Sequence, residues 1–106
     1  MTTLVLFGEA IDFLAGRVTF HHPFPEAFGT ADAANLKEDL LQVTYPRGLL
    51  LDIGWYPEGD PHGEFMLAVV RDERWEEARE YRTRNPQELL RALRVVILEL
   101  TPGEAS

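Results

Sequence analysis

Three residues near the middle of the chain have side chains that could carry chemistry. Asp52 lies inside an apolar run, Tyr56 follows four residues later, and His62 lies in the loop beyond it. A buried carboxyl group has a perturbed pKa and can act as an acid or a base, and histidine titrates near neutral pH. One hypothesis is therefore a small-ligand-binding or catalytic site beside a sheet. Because an isolated buried charge is costly, a structural ion pair or an exposed position for Asp52 is the alternative interpretation.

The loop after Tyr56 also gathers residue types that bind metal ions, namely Glu58, Asp60 and His62. The same loop is rich in Pro, Gly and Asp, which a wide hairpin turn needs for its backbone. The chain has no cysteine, no Gly-rich phosphate loop and no HExxH pattern. We therefore expect no metal site, no cofactor and no enzymatic activity.

The element that must position these side chains is a long β-hairpin over residues 49–56 and 64–71. Two apolar runs flank a cluster of turn-forming residues, which is typical of a hairpin. If Tyr56 faces Glu64, alternation gathers the large apolar side chains on one face. A slip by one residue would mix the two faces, so the pattern predicts this register.

Two segments have the spacing of amphipathic helices, residues 30–44 and 86–100. In the first, apolar residues recur every three or four positions and Pro46 follows the last of them. In the second, Asn85 is a suitable N-cap, Pro86 suits the first helical position, and a leucine-rich stripe follows. Each helix is expected to lay its apolar stripe on the sheet.

The remaining segments are shorter. Residues 4–7 and 17–22 have strand character. Residues 9–15 fit either a turn of helix or a continued strand, and residues 72–83 fit a turn followed by a short edge strand better than a helix. Charged side chains suit an edge because they discourage the addition of another strand. The sum is a single α+β domain over residues 1–106, with an antiparallel sheet of about four to five strands and two helices.

The composition narrows the range of possible functions and partners. The chain has 106 residues and a formal net charge of −8, and no apolar run approaches the roughly 20 residues of a membrane span. The excess of acids argues against nucleic acid, which is bound mainly by Lys and Arg. The N-terminal stretch has no basic leader, so a cytoplasmic location is expected, with no membrane association. A basic protein is the partner that the charge favours, and the alternative interpretation is that the acidic excess only keeps the protein soluble and monomeric.

The second half of the chain carries a family resemblance. The run LDIGWYPE at residues 51–58, Gly63, the strand at 64–70, Trp75, the Thr83-Arg84 pair and the leucine-rich last helix are the parts that carry it. In these parts the chain resembles small bacterial immunity proteins of polymorphic-toxin systems. The resemblance implies a protein that binds and blocks a cognate toxin, often a basic nuclease, through an acidic surface.

The leading hypothesis is therefore a non-catalytic, acidic binding protein that engages a basic protein partner. The expected contact residues are the acids of the hairpin loop and those after the second strand: Glu58, Asp60, Glu73, Glu76, Glu77 and Glu80. A third hypothesis is a self-associating structural domain, in which Leu50, Met66 and Val70 on the second hairpin face form a homodimer contact.

Overall fold

The computed structural model of the protein describes residues 2–22 and 36–102. Within them the chain forms seven β-strands, a short 3-10 helix and one α-helix. In chain order the strands are β1 (Thr3–Leu6), β2 (Glu9–Asp12), β3 (Arg17–His21), β4 (Leu41–Tyr45), β5 (Leu49–Tyr56), β6 (Glu64–Arg71) and β7 (Arg79–Thr83). The 3-10 helix Trp75–Glu77 precedes β7, and α1 (Pro86–Leu100) follows it. The predicted α+β class is confirmed.

The main sheet contains β3 to β7 in the order in which they occur along the chain. Each strand pairs antiparallel with the next, and β1 and β2 form a separate two-stranded sheet. In the β5–β6 hairpin, Tyr56 lies opposite Glu64 and Asp52 opposite Ala68. The predicted hairpin and its register are therefore confirmed, and the five strands of the main sheet agree with the expected number.

The core lies on one face of this sheet, beneath α1 and the β1–β2 hairpin. Trp55 packs edge-to-face on Phe65 at a centroid distance of 4.8 Å, and Phe7 packs on the same ring at 5.5 Å. Further residues with less than 2% exposure are Leu6, Ile11, Phe13, Leu40, Leu41, Leu51, Ile53, Leu67, Leu89 and Leu90. Each large apolar side chain buried in this way contributes about 1.5–3 kcal/mol, so this layer holds the elements together.

The start of α1 is as the sequence predicts. Asn85 has an extended backbone, and its side-chain oxygen accepts hydrogen bonds from the N–H groups of Gln87 and Glu88. Pro86 occupies the first helical position, where its missing N–H group costs nothing. Within residues 2–22 and 36–102, no helix has the length and apolar character needed to cross a membrane.

The helix predicted over residues 30–44 is wrong for the part that the structure describes. Residues 36–40 have no helical structure and residues 41–45 form β4, while residues 30–35 lie outside the described part. Leu41, Val43 and Tyr45 are buried and alternate with the more exposed Gln42 and Thr44. This period of two is the strand pattern, and pairing with both β3 and β5 stabilises it.

The two ambiguous segments are resolved as strands. The segment 9–15 begins with β2, which follows a turn at residues 7 and 8 and pairs antiparallel with β1, so it is neither a turn of helix nor a continuation of the first strand. After β6, residues 72–78 form a turn and the 3-10 helix, and β7 follows as an edge strand. The predicted turn and edge strand over residues 72–83 are confirmed.

Candidate functional site

The face of the sheet opposite α1 carries the buried acid. Because alternate residues share a face, Gln42, Asp52, Ala68 and Glu80 form one row across β4 to β7. Tyr56 and Glu64 lie opposite each other on the same face, four residues along β5 from Asp52. The register of the sheet thus brings together acids that are far apart in the sequence.

Asp52 is the centre of this row and is only 2% exposed. Nε2 of Gln42 donates a hydrogen bond of 3.0 Å to Oδ1 of Asp52. Burial raises the pKa of Asp52, the Gln42 hydrogen bond opposes that shift, and the charge of Asp39 adds to it. The partner of Asp52 is therefore a neutral amide, where the sequence favoured an ion pair or an exposed position.

Gly54 makes room for a segment that brings two more acids to this face. The backbone N–H of Trp55 donates to the carbonyl of Lys37 at 2.8 Å, so residues 36–40 run beside β5. A Cβ atom at Gly54 would overlap the carbonyl oxygen of Glu38. The close approach holds Glu38 and Asp39 beside the sheet face, and both are exposed.

The pKa of Tyr56 reflects the negative charge of its surroundings. Its ring lies beside Gly54, where a Cβ atom would be 3.0 Å from Cε2. Burial raises the pKa of Tyr56 most, and the carboxylates of Asp52, Asp39, Glu38 and Glu80 raise it further. Four carboxylates therefore act on one phenol, although they come from three separate parts of the chain.

We call this surface the acidic face and define its acids as Glu38, Asp39, Asp52, Glu64 and Glu80. Arg82 also lies on it and pairs with Glu64 at 3.6 Å and with Glu80 at 3.3 Å. Arg17 lies at its β3 border, opposite Thr44. Among the residues that the structure describes, five carboxylates against two guanidinium groups leave the face negative.

The six acids predicted to contact a partner do not form one patch. Glu58 and Asp60 lie in the loop at one end of the β5–β6 hairpin, and the acids at positions 73, 76 and 77 follow β6 at the other end. Eight-residue strands at about 3.3 Å per residue separate the two groups by roughly 25 Å. Of the six, Glu80 alone belongs to the acidic face.

Several of these predicted acids already have internal partners. Glu58 pairs with Lys37 at 3.9 Å and accepts a hydrogen bond from the N–H of Glu38 at 3.3 Å. Oδ1 of Asp60 accepts from the N–H of His62 at 2.8 Å, which stabilises the loop. Glu58 and Asp60 therefore have structural roles that the sequence did not reveal.

The alternative ligand site of Asp52, Tyr56 and His62 is only partly brought together. Asp52 and Tyr56 share the acidic face, with Gly54 between them on β5. His62 is exposed in the loop, and that loop is bound to the opposite face because Nε1 of Trp55 donates to the carbonyl of Asp60 at 2.8 Å. Among the described residues, no group of three or more His, Cys, Asp or Glu side chains could hold a metal ion.

The apolar residues that were predicted to form a homodimer contact are less exposed than expected. Val70 is fully buried, and Leu50 and Met66 are half-buried. A contact through Val70 is therefore not available on the folded chain.

The sequence analysis also missed Glu38, Asp39 and Glu64 as members of the acidic face. The predicted register placed Glu64 opposite Tyr56, which was the one available signal.

Comparisons with protein-family models, with curated proteins and with solved structures find no match to this chain.

Proposed function

We propose that the protein is a small, non-catalytic binding protein whose acidic face engages a basic protein partner, as an immunity protein engages a basic toxin. The observation that carries the proposal is the concentration of five carboxylates around Tyr56 on one sheet face. Glu64 and Glu80 stand on paired strands, so little conformational entropy is lost when a partner binds them. Asp52 is buried among them and is not itself a contact residue.

The electrostatics of the acidic face favour a cationic partner. The neighbouring carboxylates raise the pKa of Tyr56 because they repel the negative charge that would form there. A lysine or arginine side chain placed among them would reduce that repulsion. Complementary charges of this kind increase the association rate and select against acidic partners.

Binding is favoured over catalysis by the contacts of Asp52 and the position of His62. One oxygen of Asp52 already accepts from Gln42, and that contact holds the carboxyl group within the sheet. The loop that contains His62 is tied to Trp55 on the other face. The acid and the imidazole are thus held by separate contacts.

Two triple variants with the same change in net charge test the proposal. The first reverses three acids of the acidic face, Glu38→Lys, Asp39→Lys and Glu64→Lys. The matched control reverses Glu73→Lys, Glu76→Lys and Glu77→Lys, which lie beyond the end of β6 and are exposed. Tagged wild-type protein and both variants are used at low salt to capture partners from a lysate of the source cells, with identification by mass spectrometry.

We expect the wild-type protein and the control to capture the same basic protein in stoichiometric amounts, and the acidic-face variant to lose it. With that partner purified, the association rate of the wild-type protein should fall as salt increases. Capture by all three proteins, or loss by the control alone, would contradict a contact through the acidic face. Recovery of no basic protein would contradict the proposed function as a whole.

A further inference from the structure

The outer edge of β7 is exposed and borders an open groove. Among the described strands β7 pairs with β6 alone, and four of its five residues are exposed. The groove has a volume of about 500 Å³ and lies between β7 and α1. Its apolar lining includes Tyr81, which is 42% exposed, and Val95, which is 56% exposed.

The alternation of hydrogen bonds decides which backbone groups of β7 face outwards. The carbonyl of Ile53 accepts from the N–H of Leu40, so odd-numbered residues of β5 direct their backbone groups towards β4. In an antiparallel sheet both groups of one residue point to one side and those of the next residue to the other. Even-numbered residues of β5 and β6 therefore bond to each other, and odd-numbered residues join β6 to β7. Glu80 and Arg82 direct their N–H and C=O groups away from the sheet.

The side chains of β7 are complementary to those of a second β7. In an antiparallel pair with a twofold axis at Tyr81, Glu80 of each copy faces Arg82 of the other. These are also the residues whose backbone groups are directed outwards. Moving the axis by one residue places Glu80 opposite Glu80, or Arg82 opposite Arg82. Like charges directly opposite each other are destabilising, so the sequence selects the register at Tyr81.

We propose that this edge binds a second copy of the chain, which joins two five-stranded sheets into one continuous sheet. Because α1 packs on β6 and β7, and strands are about 4.8 Å apart, the two copies of α1 would lie roughly 10 Å apart, a normal helix packing distance. The two grooves then face each other across the twofold axis, and Tyr81 and Val95 of both copies become buried. The charges on β7 thus disfavour pairing with other strands but allow pairing with β7 of the second copy.

Charge reversal and charge exchange test the register. Sedimentation equilibrium at physiological salt would measure the dimer dissociation constant of the wild-type protein, Glu80→Arg, Arg82→Glu and the double variant with both changes. Each single reversal places like charges opposite each other twice, so we expect a dissociation constant about tenfold higher or more. The double variant restores opposite charges and should dimerise close to the wild-type level. Glu76→Arg is the control for the change in net charge and should have no effect.

A backbone variant tests the outward hydrogen bonds of the same edge, with Arg82→Ala as the control for loss of the guanidinium group. The N–H of Arg82 faces outwards, so Arg82→Pro should keep the pairing with β6 and remove hydrogen bonds to the second copy. We expect this variant to be folded by circular dichroism and monomeric by sedimentation. A wild-type protein that remains monomeric at high micromolar concentration would overturn the proposal. A dimer that survives both Glu80→Arg and Arg82→Pro would overturn it as well. Glu80 belongs to the acidic face, but both tests measure self-association of the purified protein without any basic partner, so their result does not depend on the proposed function.

Discussion

Gln42 and Asp52 lie directly opposite each other on β4 and β5, and their side chains form a hydrogen bond of 3.0 Å on the acidic face. The amide satisfies one oxygen of a carboxyl group that is almost entirely removed from solvent. It does so without adding a positive charge, so the negative potential of the face is retained. The pair therefore stabilises the sheet and leaves the proposed binding surface acidic.

Removing the amide should destabilise the fold. Gln42→Leu keeps a side chain of similar size but leaves the oxygen of Asp52 without its donor, which costs about 1–3 kcal/mol. The loss should be larger above the pKa of Asp52 in the folded state, where the carboxyl group is charged, than below it. Urea denaturation of both proteins above and below this pKa provides the measurement. An equal loss at every pH would show that the hydrogen bond does not act on the charged form.

Asp52→Asn should change the pH dependence of stability in a defined direction. Burial raises the pKa of Asp52 above its value in the unfolded chain. The folded state then holds its proton more tightly, so this group makes stability fall as pH rises from the unfolded pKa through the folded one. Asparagine still accepts from Gln42 and does not titrate. We expect the variant to lack this fall, and an unchanged pH profile would contradict the assignment.

Gly54→Ala should be strongly destabilising. The added methyl group would overlap the carbonyl oxygen of Glu38, which is backbone and cannot turn away. Overpacking of this kind costs roughly 1–3 kcal/mol, and more where backbone must move. Gly59→Asn is a useful control, because Gly59 has a left-handed φ of 71° that asparagine can adopt. Similar urea midpoints for the wild-type protein and Gly54→Ala would show that residues 36–40 can move away from β5.

The sequence predicts the parts of the fold that depend on neighbouring segments. The β5–β6 hairpin and its register follow from alternation between two strands that adjoin in the chain. The start of α1 follows from Asn85 and Pro86. By contrast, Leu36, Leu40 and Val43 have helical spacing by coincidence, since an irregular segment and a strand together place all three in the core. Pairing with β3 and β5 outweighs that spacing, and this pairing is not visible in the local pattern.

The candidate site could be predicted less well because it depends on distant parts of the chain. Asp52 was recognisable as an acid in an apolar strand. Glu80 required the register of β7 on β6, and Glu38 and Asp39 required the docking of residues 36–40 beside β5. Grouping acids by proximity in the sequence instead joined residues from opposite ends of the hairpin. Faces of a sheet, rather than segments of the sequence, determine which charges act together.

Asn85→Ala should weaken the start of α1. The side chain of Asn85 accepts from two helical N–H groups, and its own N–H donates to Oγ1 of Thr83 at 3.0 Å. Loss of such a cap costs about 0.5–2 kcal/mol, whereas Asn85→Asp keeps the acceptor and adds a charge that the helix N-terminus favours. Thermal or urea denaturation should show that Asn85→Asp is about as stable as the wild-type protein and that Asn85→Ala is less stable than both. Equal stabilities of Asn85→Ala and Asn85→Asp would show that the cap is not important for stability.

Tyr45 connects the β1–β2 hairpin to the main sheet, and its ionisation should limit stability at alkaline pH. Its hydroxyl group donates to the carbonyl of Phe13 at 2.9 Å. Burial, and to a smaller extent the charge of Asp12, raises the pKa of Tyr45 from 10.0 to about 12. Since the unfolded chain loses this proton first, the contribution of Tyr45 to stability is complete below the unfolded pKa and decreases as pH rises towards the folded one.

Tyr45→Phe separates the hydrogen bond from the titration. At neutral pH the variant should lose about 0.5–1.5 kcal/mol, the usual net value of one hydrogen bond, because the carbonyl of Phe13 still accepts from the N–H of Gly16 at 2.9 Å. As the pH rises from about 10 towards about 12, it should lose less further stability than the wild-type protein does, since phenylalanine cannot ionise. Parallel decline of wild-type protein and Tyr45→Phe with pH would mean that alkaline unfolding begins at another group.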